Sequence, residues 1–197
     1  MVAENYYYKP SLVLMKELID RGFIGAVETV DVRKCFTQET AGWKEAYGAL
    51  LEGGIHFVAL ILGLFDAAPI RVSAEFPGRQ NGQSERHSIV SLEYEGGATA
   101  ELRYAWDAPS LTKGTFQHSH ISGSEGKIIF ESNGIYVRLK SPRKKKLYFP
   151  NLKDLMGYRA MTEDFIACLE DRSRAPHSDF AKAKRDLNIV FEAYKSL

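Results

Sequence analysis

The apolar positions along the chain follow a helical period first. Between residues 10 and 22 they recur every three or four positions, with Pro10 as a favourable first residue and Gly22 as a favourable end, so a helix is predicted there. Residues 26–36 then alternate between apolar and polar side chains, which predicts a strand. Residues 48–65 are apolar on most sides, which predicts a long buried helix.

From residue 70 onward the period changes to two. Gly96-Gly97 and Asn133-Gly134 are strong hairpin signals within this region, so successive strands are expected to pair antiparallel. The basic run 143–146 is expected in a connection between strands, as a solvated loop or as protection for a sheet edge. The alternation predicts seven strands, at 70–76, 87–94, 98–106, 115–122, 127–131, 135–140 and 147–149.

Helical spacing returns towards the end of the chain. Apolar residues predict a helix over 155–169, and Ser178 or Asp179 can cap a final helix that runs to Tyr194. The strands are therefore grouped in the middle of the chain, with helices before and after them. This order favours an α+β fold over a doubly wound α/β fold, and residues 1–197 are expected to form one domain.

Composition and charge narrow the class of protein. Of the 197 residues, 45% are hydrophobic and 26% are charged, as in ordinary globular domains. The formal net charge is +1, so neither nucleic acid nor a membrane surface is expected as a partner. Two cysteines, Cys35 and Cys168, do not make a disulfide scaffold. The chain also shows no signal segment and no apolar stretch of bilayer length, so a cytoplasmic protein is predicted.

Common cofactor and nucleophile motifs do not occur in the sequence. Neither G-x-G-x-x-G nor a P-loop is found, so no nucleotide-phosphate cradle is expected in this chain. C-x-x-C and H-E-x-x-H are also missing, which leaves no standard zinc site, and without G-x-S-x-G there is no esterase elbow. The chain alone is therefore expected to bind no cofactor and no metal.

The strongest chemical candidate lies in the predicted buried helix. Glu52 and His56 are four residues apart, so on an α-helix both side chains point the same way. A carboxylate that orients an imidazole and raises its basicity supports general acid–base catalysis. The alternative is a carboxylate–histidine pair that closes an edge of the core. Gly53 and Gly54 indicate that a backbone or ligand comes close, or that they relieve crowding.

Several segments resemble one family in their order and spacing. Gly48-x-Leu50-x-Glu52-x-Gly54-x-His56 resembles a G-x-L-x-D-x-G-x-H helix of the Gfo/Idh/MocA oxidoreductases, which are NAD(P)-dependent sugar and polyol dehydrogenases. The chain is similar over nearly its whole length to their C-terminal domain. The other segments that carry the resemblance are the exit strand from the nucleotide domain at 2–6, the helix and strand at 10–27, the G-S-x-G-x-L-x-F hairpin at 123–131 and the closing helices at 165–196.

The resemblance implies an architecture and a set of partners. It implies a large, open, mostly antiparallel sheet with helices packed on one face, and no Rossmann domain in this chain. The open face of such a sheet needs a cover, so a homodimer or homotetramer through that face is expected. Residues 1–9 would be the remnant of a linker from a missing nucleotide-binding domain. That domain would bind NAD or NADP in the full-length enzyme.

The resemblance also implies roles for particular residues. His56 would be the catalytic acid–base group, with Glu52 beside it, where the family usually has aspartate. Tyr6, Gly53 and His56 would bind the substrate, a sugar, polyol or related hydroxyl compound. Ala59 stands where many members carry a further aspartate. This departure, Glu52 and the missing half favour an alternative, a free-standing, non-catalytic domain that binds a carbohydrate-like ligand or acts as a scaffold. A plain structural α+β domain is a second alternative.

Overall fold

The structure is a computed structural model that describes residues 1–110 and 112–196, without the side chain of Trp43. Helix α1 begins at a proline, whose missing N–H leaves no intrahelical bond unmade in the first turn. Helix α4 begins after Asp179, whose carboxylate accepts the backbone N–H of Lys182 at 2.8 Å, as predicted for a cap. The α-helices are α1 (Pro10–Asp20), α2 (Ile55–Leu64), α3 (Tyr158–Glu170) and α4 (Phe180–Tyr194).

One eight-stranded sheet forms the other layer, in the order β2-β3-β4-β1-β5-β6-β7-β8. Six of its seven pairings are antiparallel, and β1 with β4 is the parallel one. The strands are β1 (Val27–Cys35), β2 (Arg71–Glu75), β3 (His87–Glu93), β4 (Thr99–Ala105), β5 (His118–Gly123), β6 (Gly126–Glu131), β7 (Val137–Lys140) and β8 (Lys145–Tyr148). The predicted α+β class and mostly antiparallel open sheet are therefore confirmed, and the described residues contain no Rossmann fold.

The core lies between the helices and one face of the sheet. In β3, Val90 and Leu92 are 1% and 2% exposed, whereas their neighbours Ile89, Ser91 and Glu93 are half-buried. The same alternation in β1 buries Val30 and Val32. Helix α2 covers this face and is buried on nearly all sides, which explains why residues 57–62 carry no polar side chain.

No helix of the described residues packs on the opposite face of the sheet, which is mostly polar. It presents Ser91 of β3, Arg103 of β4, Asp31 of β1 and Arg138 of β7, all on the side opposite the buried positions of those strands. We call this side the open face. An antiparallel sheet commonly has one packed face and one hydrated face, and the alternation in the sequence has this physical origin.

Two elements differ from the sequence prediction. The predicted helix over 48–65 is a π-helical turn, Leu50–Gly54, followed by α2. A π turn closes i→i+5 hydrogen bonds and shifts the faces of the helix by one residue, which apolar periodicity does not reveal. Strand β8 begins at Lys145 instead of residue 147, so part of the basic run is in the sheet edge and not in a connection.

Candidate functional site

The N-terminal segment meets the first turn of α2 at a carboxylate–imidazole pair. Glu4 Oε2 lies 2.7 Å from Nδ1 of His56. The other oxygen of the same carboxylate accepts the backbone N–H of Tyr6 at 3.0 Å and caps a 3-10 turn, Asn5–Tyr8. Glu4 is 9% exposed, so its charge is largely removed from water and held by these two bonds.

The ring of Tyr6 covers one side of the imidazole. The Tyr6 and His56 rings are stacked with centroids 5.1 Å apart and an interplanar angle of 19°. The His56 side chain remains 39% exposed. Among the described residues no hydrogen bond engages its Nε2, and that atom is not buried. The histidine therefore has one nitrogen held by the protein and one that is accessible to solvent.

A buried amine, that of Lys9, lies against the ring of Tyr6. Lys9 is fully buried, and its Nζ lies 4.3 Å from the centroid of the Tyr6 ring and 3.8 Å from Sδ of Met156. Burial lowers the pKa of Lys9 to about 8; the carboxylate of Glu131 opposes the shift, and the charge of Lys34 adds to it. Tyr6 thus contacts both a cation and the candidate catalytic ring.

The two tyrosines that follow fasten the same segment to α3 and α4. The Tyr7 hydroxyl donates to Asp186 of α4 at 2.7 Å, and the Tyr8 hydroxyl donates to Asp164 of α3 at 2.8 Å. Burial raises the pKa of Asp186 to about 6, although the Tyr7 hydroxyl bond and the charge of Arg185 oppose that shift. The three consecutive tyrosines therefore attach the segment that carries Glu4 to three different helices, α2, α4 and α3.

The Glu52 carboxylate has a different partner from the predicted one, His56. Glu52 belongs to the π turn, and its Oε1 lies 3.1 Å from Nζ of Lys44, so the two side chains form an ion pair. The carboxylate that hydrogen-bonds His56 is Glu4, not Glu52. The physical reason is the π turn, because residues four apart do not have α-helical spacing when one of them lies in a wider turn.

The structure places Gly53 against a core tyrosine. A Cβ atom at this position would overlap the hydroxyl of Tyr104. Tyr104 is 4% exposed, accepts a bond from Nε1 of Trp106 at 3.2 Å, and has its pKa raised to about 12 by burial. Of the explanations that the sequence allows for this glycine, relief of crowding is the one seen here, because the atoms that come close belong to the Tyr104 side chain and not to a backbone segment or a ligand.

We expect Gly53→Ala to destabilise the chain by about 1–3 kcal/mol, the usual cost of overpacking a well-packed core. The control is Gly54→Ala, which should cost less because its Cβ first meets the movable end of Leu50, at 2.9 Å. A double variant with Tyr104→Phe should recover part of the loss. Urea denaturation measures all three, and wild-type stability for Gly53→Ala would contradict the packing argument.

Tyr6 and His56 are thus brought together. Glu52 and Gly53 lie in the π turn before α2, where Glu52 pairs with Lys44 and Gly53 packs against Tyr104. Sequence reasoning missed Glu4 as the partner of His56, because the two residues are 52 positions apart. The available signal was the position of Glu4 within the 2–6 segment that resembles a domain junction.

Other kinds of site receive less support from the described residues. No group of three or more His, Cys, Asp or Glu side chains there has the arrangement of a metal site. No helix among them is long and apolar enough to cross a bilayer.

The open face carries a cleft of about 930 Å³ at β5–β8, lined among others by Arg138, Lys140 and Lys145. None of the described residues that line this cleft carries a carboxylate.

The fold and the Glu4–His56–Tyr6 arrangement define a class of two-layer domain with a candidate proton-transfer group at the start of its central helix. A model of the GFO/IDH/MocA C-terminal domain matches residues 12–129, more than half of the chain. The chain therefore belongs to the GFO/IDH/MocA C-terminal domain family. No curated protein sequence matches it significantly.

Solved structures of oxidoreductases share this fold over the whole chain. The aldose-aldose oxidoreductase from Caulobacter crescentus, complexed with glycerol, has a TM-score of 0.83 at 18% identity. An oxidoreductase from Agrobacterium radiobacter, in complex with NAD+, L-tartaric acid and magnesium, has a TM-score of 0.81 at 18% identity. The WlbA dehydrogenase from Bordetella pertussis, in complex with NADH and UDP-GlcNAcA, has a TM-score of 0.74 at 18% identity. Each match covers 100% of this chain but only 61–62% of the other.

Proposed function

We propose that this chain is the substrate-binding and oligomerisation domain of an NAD(P)-dependent dehydrogenase that acts on a sugar, a polyol or a related hydroxyl compound. Residues 1–197 are one domain in this proposal, and residues 1–9 are its junction with a nucleotide-binding domain. The observation that carries the proposal is His56, whose Nδ1 is held by Glu4 at 2.7 Å while Nε2 faces outward. An imidazole in this arrangement can accept a proton from a substrate hydroxyl.

The cofactor site belongs elsewhere in the proposed enzyme. The described residues do not fit a dinucleotide, because the chain has no glycine-rich phosphate turn and its only parallel pairing, β1 with β4, does not build a doubly wound sheet. NAD or NADP would be bound by the separate nucleotide-binding domain, and the nicotinamide would exchange the hydride. This chain would position the substrate and move the hydroxyl proton.

The substrate would lie against the exposed edge of the imidazole. Nε2 of His56 takes the proton of the hydroxyl that is oxidised, and the stacked ring of Tyr6 keeps the imidazole from rotating. Glu52 lies in the turn before α2, and its carboxylate can accept a second substrate hydroxyl once it leaves Lys44. Hydroxyl-rich compounds suit such a site, since each of its polar groups then finds a partner.

The experiment that tests this function begins with the native polypeptide in its source cells, detected by antibody blot. We expect a band of roughly 35–40 kDa, the sum of two ordinary domains. That longer protein should reduce NAD or NADP when it is given aldoses or polyols, and the chain alone should not. A native band at 22.2 kDa would instead favour the free-standing, non-catalytic ligand-binding or scaffold domain.

The oligomerisation part of the proposal is supported by the charges on the open face. Towards β8 this face carries Lys127, Arg138, Lys140 and Lys145. Towards β2 it carries carboxylates of Glu75, Glu93 and Glu101, of which two are paired with arginines on the same face. A two-fold axis near the middle of the sheet would place the basic half of one copy over the half of the other that carries these carboxylates.

Reversing one charge on this face should therefore weaken the assembly. We expect wild type to sediment as a dimer or tetramer and Arg138→Glu to raise the dissociation constant at least about tenfold, more so at low salt. Arg172→Glu, at an exposed position just after α3, is the matched control and should sediment as wild type. A wild-type chain that remains monomeric at high concentration would contradict the oligomerisation role.

A further inference from the structure

The two oxygens of the Glu4 carboxylate have different partners, and together these fix how the carboxylate faces His56. One oxygen accepts the backbone N–H of Tyr6 at 3.0 Å, which fixes the direction of the carboxylate. The other is then aimed at Nδ1 of His56, 2.7 Å away. The contact with His56 is short, and Glu4 is 9% exposed, so the pair is partly shielded from water. Glu4 therefore has a defined orientation before any substrate arrives.

This geometry selects one form of the neutral imidazole. An ionised carboxylate only accepts hydrogen bonds, so the nitrogen that faces it must carry the proton. With the proton on Nδ1, the lone pair lies on Nε2, which is the nitrogen without a partner among the described residues. The opposite tautomer would place a lone pair against the carboxylate, which is repulsive, and would leave Nε2 unable to accept a proton.

We propose that Glu4 is the positioning residue that keeps neutral His56 in the Nδ1–H tautomer, with Nε2 free to take the proton of the substrate hydroxyl. The proposal rests on the proposed function for its catalytic meaning, but the tautomer itself is a property of this chain. It assigns to the junction segment a task that the helix pattern assigns to Glu52. The Tyr6 stack adds to it by limiting rotation of the ring.

The competing role for Glu4 is a cap of the Asn5–Tyr8 turn and nothing more. Both roles predict some loss of stability when the carboxylate is changed, so stability does not separate them. They differ in what happens to the imidazole. If Glu4 is only a cap, its replacement leaves the tautomer of His56 unchanged. If Glu4 is a positioning residue, its replacement changes the tautomer.

The first experiment is nitrogen NMR of the imidazole in the 197-residue chain, at a pH where the ring is neutral. In wild type we expect Nδ1 to give the signal of a protonated nitrogen and Nε2 that of an unprotonated one. Glu4→Gln should convert this into a mixture, because the amide can either accept from or donate to Nδ1. Glu52→Gln, the matched carboxylate on the other side of the turn, should leave the tautomer unchanged.

The wild-type spectrum alone can overturn the proposal, so it does not depend on whether a variant folds. A wild-type ring protonated mainly on Nε2 would contradict it. A ring that stays wholly Nδ1–H in a folded Glu4→Gln chain would also do so. Glu4→Asp, which keeps the charge on a shorter side chain, should retain more of the Nδ1–H form than Glu4→Gln does.

A second measurement separates this inference from the proposed function. In the enzyme with its nucleotide-binding domain, Glu4→Gln should lower kcat about tenfold and change KM little, because the substrate still binds while proton acceptance is impaired. If the tautomer depends on Glu4 but replacement of His56 leaves turnover unchanged, the proposed function fails and the positioning role stands. If His56 is essential for turnover but its tautomer does not depend on Glu4, the positioning role fails and the proposed function stands.

Discussion

Replacing His56 with alanine in the enzyme that contains both domains is expected to lower kcat at least tenfold, and by about 10²–10⁴-fold if His56 is the sole proton acceptor. The physical reason is that alanine removes Nε2, the atom that accepts the hydroxyl proton in the proposed site. The KM should change less, since the Tyr6 ring and the turn before α2 remain in place. Steady-state kinetics with the accepted aldose or polyol measures both values.

The control for this variant is another exposed histidine. His118→Ala changes a side chain on β5 that contacts Tyr136 on the open face, and it should leave kcat at the wild-type value. Thermal unfolding of both variants checks that neither has lost its fold. Wild-type turnover in a folded His56→Ala enzyme would rule out this residue as the acid–base group.

Replacing Lys9 with methionine is expected to change how stability depends on pH. The amine is fully buried, and its pKa is lowered to about 8 from 10.5, mainly by burial. Below the lower value the folded and unfolded states both carry the proton, and the folded state bears the cost of a buried charge. Between the two values only the unfolded state keeps the proton. The free energy of unfolding of wild type therefore rises with pH in this window.

Methionine has no such titration, so the comparison isolates the lysine. The difference in unfolding free energy between Lys9→Met and wild type should shift by roughly 2–3 kcal/mol in favour of wild type between about pH 7 and pH 10. Urea denaturation measures it, and the buried tyrosines, whose ionisation begins near the upper limit, are common to both chains. Lys153→Met, at an exposed position, should follow wild type. A constant difference across this range would contradict the lowered pKa.

Elements with local signals were predictable from the sequence. The β3–β4 hairpin follows from the alternation on both sides of Gly96-Gly97, and the structure pairs Glu93 with Thr99 directly beyond that turn. The β6–β7 hairpin follows similarly from Asn133-Gly134. Helix α4 begins at the predicted cap, Asp179. In each case the determining interactions lie within a few residues of one another, which periodicity and turn preferences can detect.

Elements that depend on distant partners were not predictable in the same way. The π turn at Leu50–Gly54 exists where Gly53 allows Tyr104 to approach, and these two residues are 51 positions apart in the sequence. The start of β8 at Lys145 is set by its pairing with Lys140 of β7, not by its own lysine-rich composition. Local preference was outweighed by tertiary contact in both places.

The candidate site divides in the same manner. His56 could be singled out because an imidazole in an apolar helix is unusual, and Tyr6 followed from the family resemblance. The carboxylate next to the imidazole could not be chosen between Glu4 and Glu52 by spacing alone, since i,i+4 geometry holds only for a regular α-helix. Whether Glu52 acts in catalysis, as the resemblance implies, remains a prediction.

The parallel pairing of β1 with β4 has a consequence for how the chain acquires its structure. Thr29 lies opposite Thr99, so the two strands that meet at the centre of the sheet are separated by 70 residues of sequence. During synthesis at about 5–20 residues per second, β1 leaves the ribosome several seconds before β4, and its other neighbour, β5, comes later still. Both edges of β1 are unpaired in that interval. Closing the centre of the sheet should therefore be a slow, late event in folding, and the unpaired edges of β1 should make the half-made chain prone to aggregation until then.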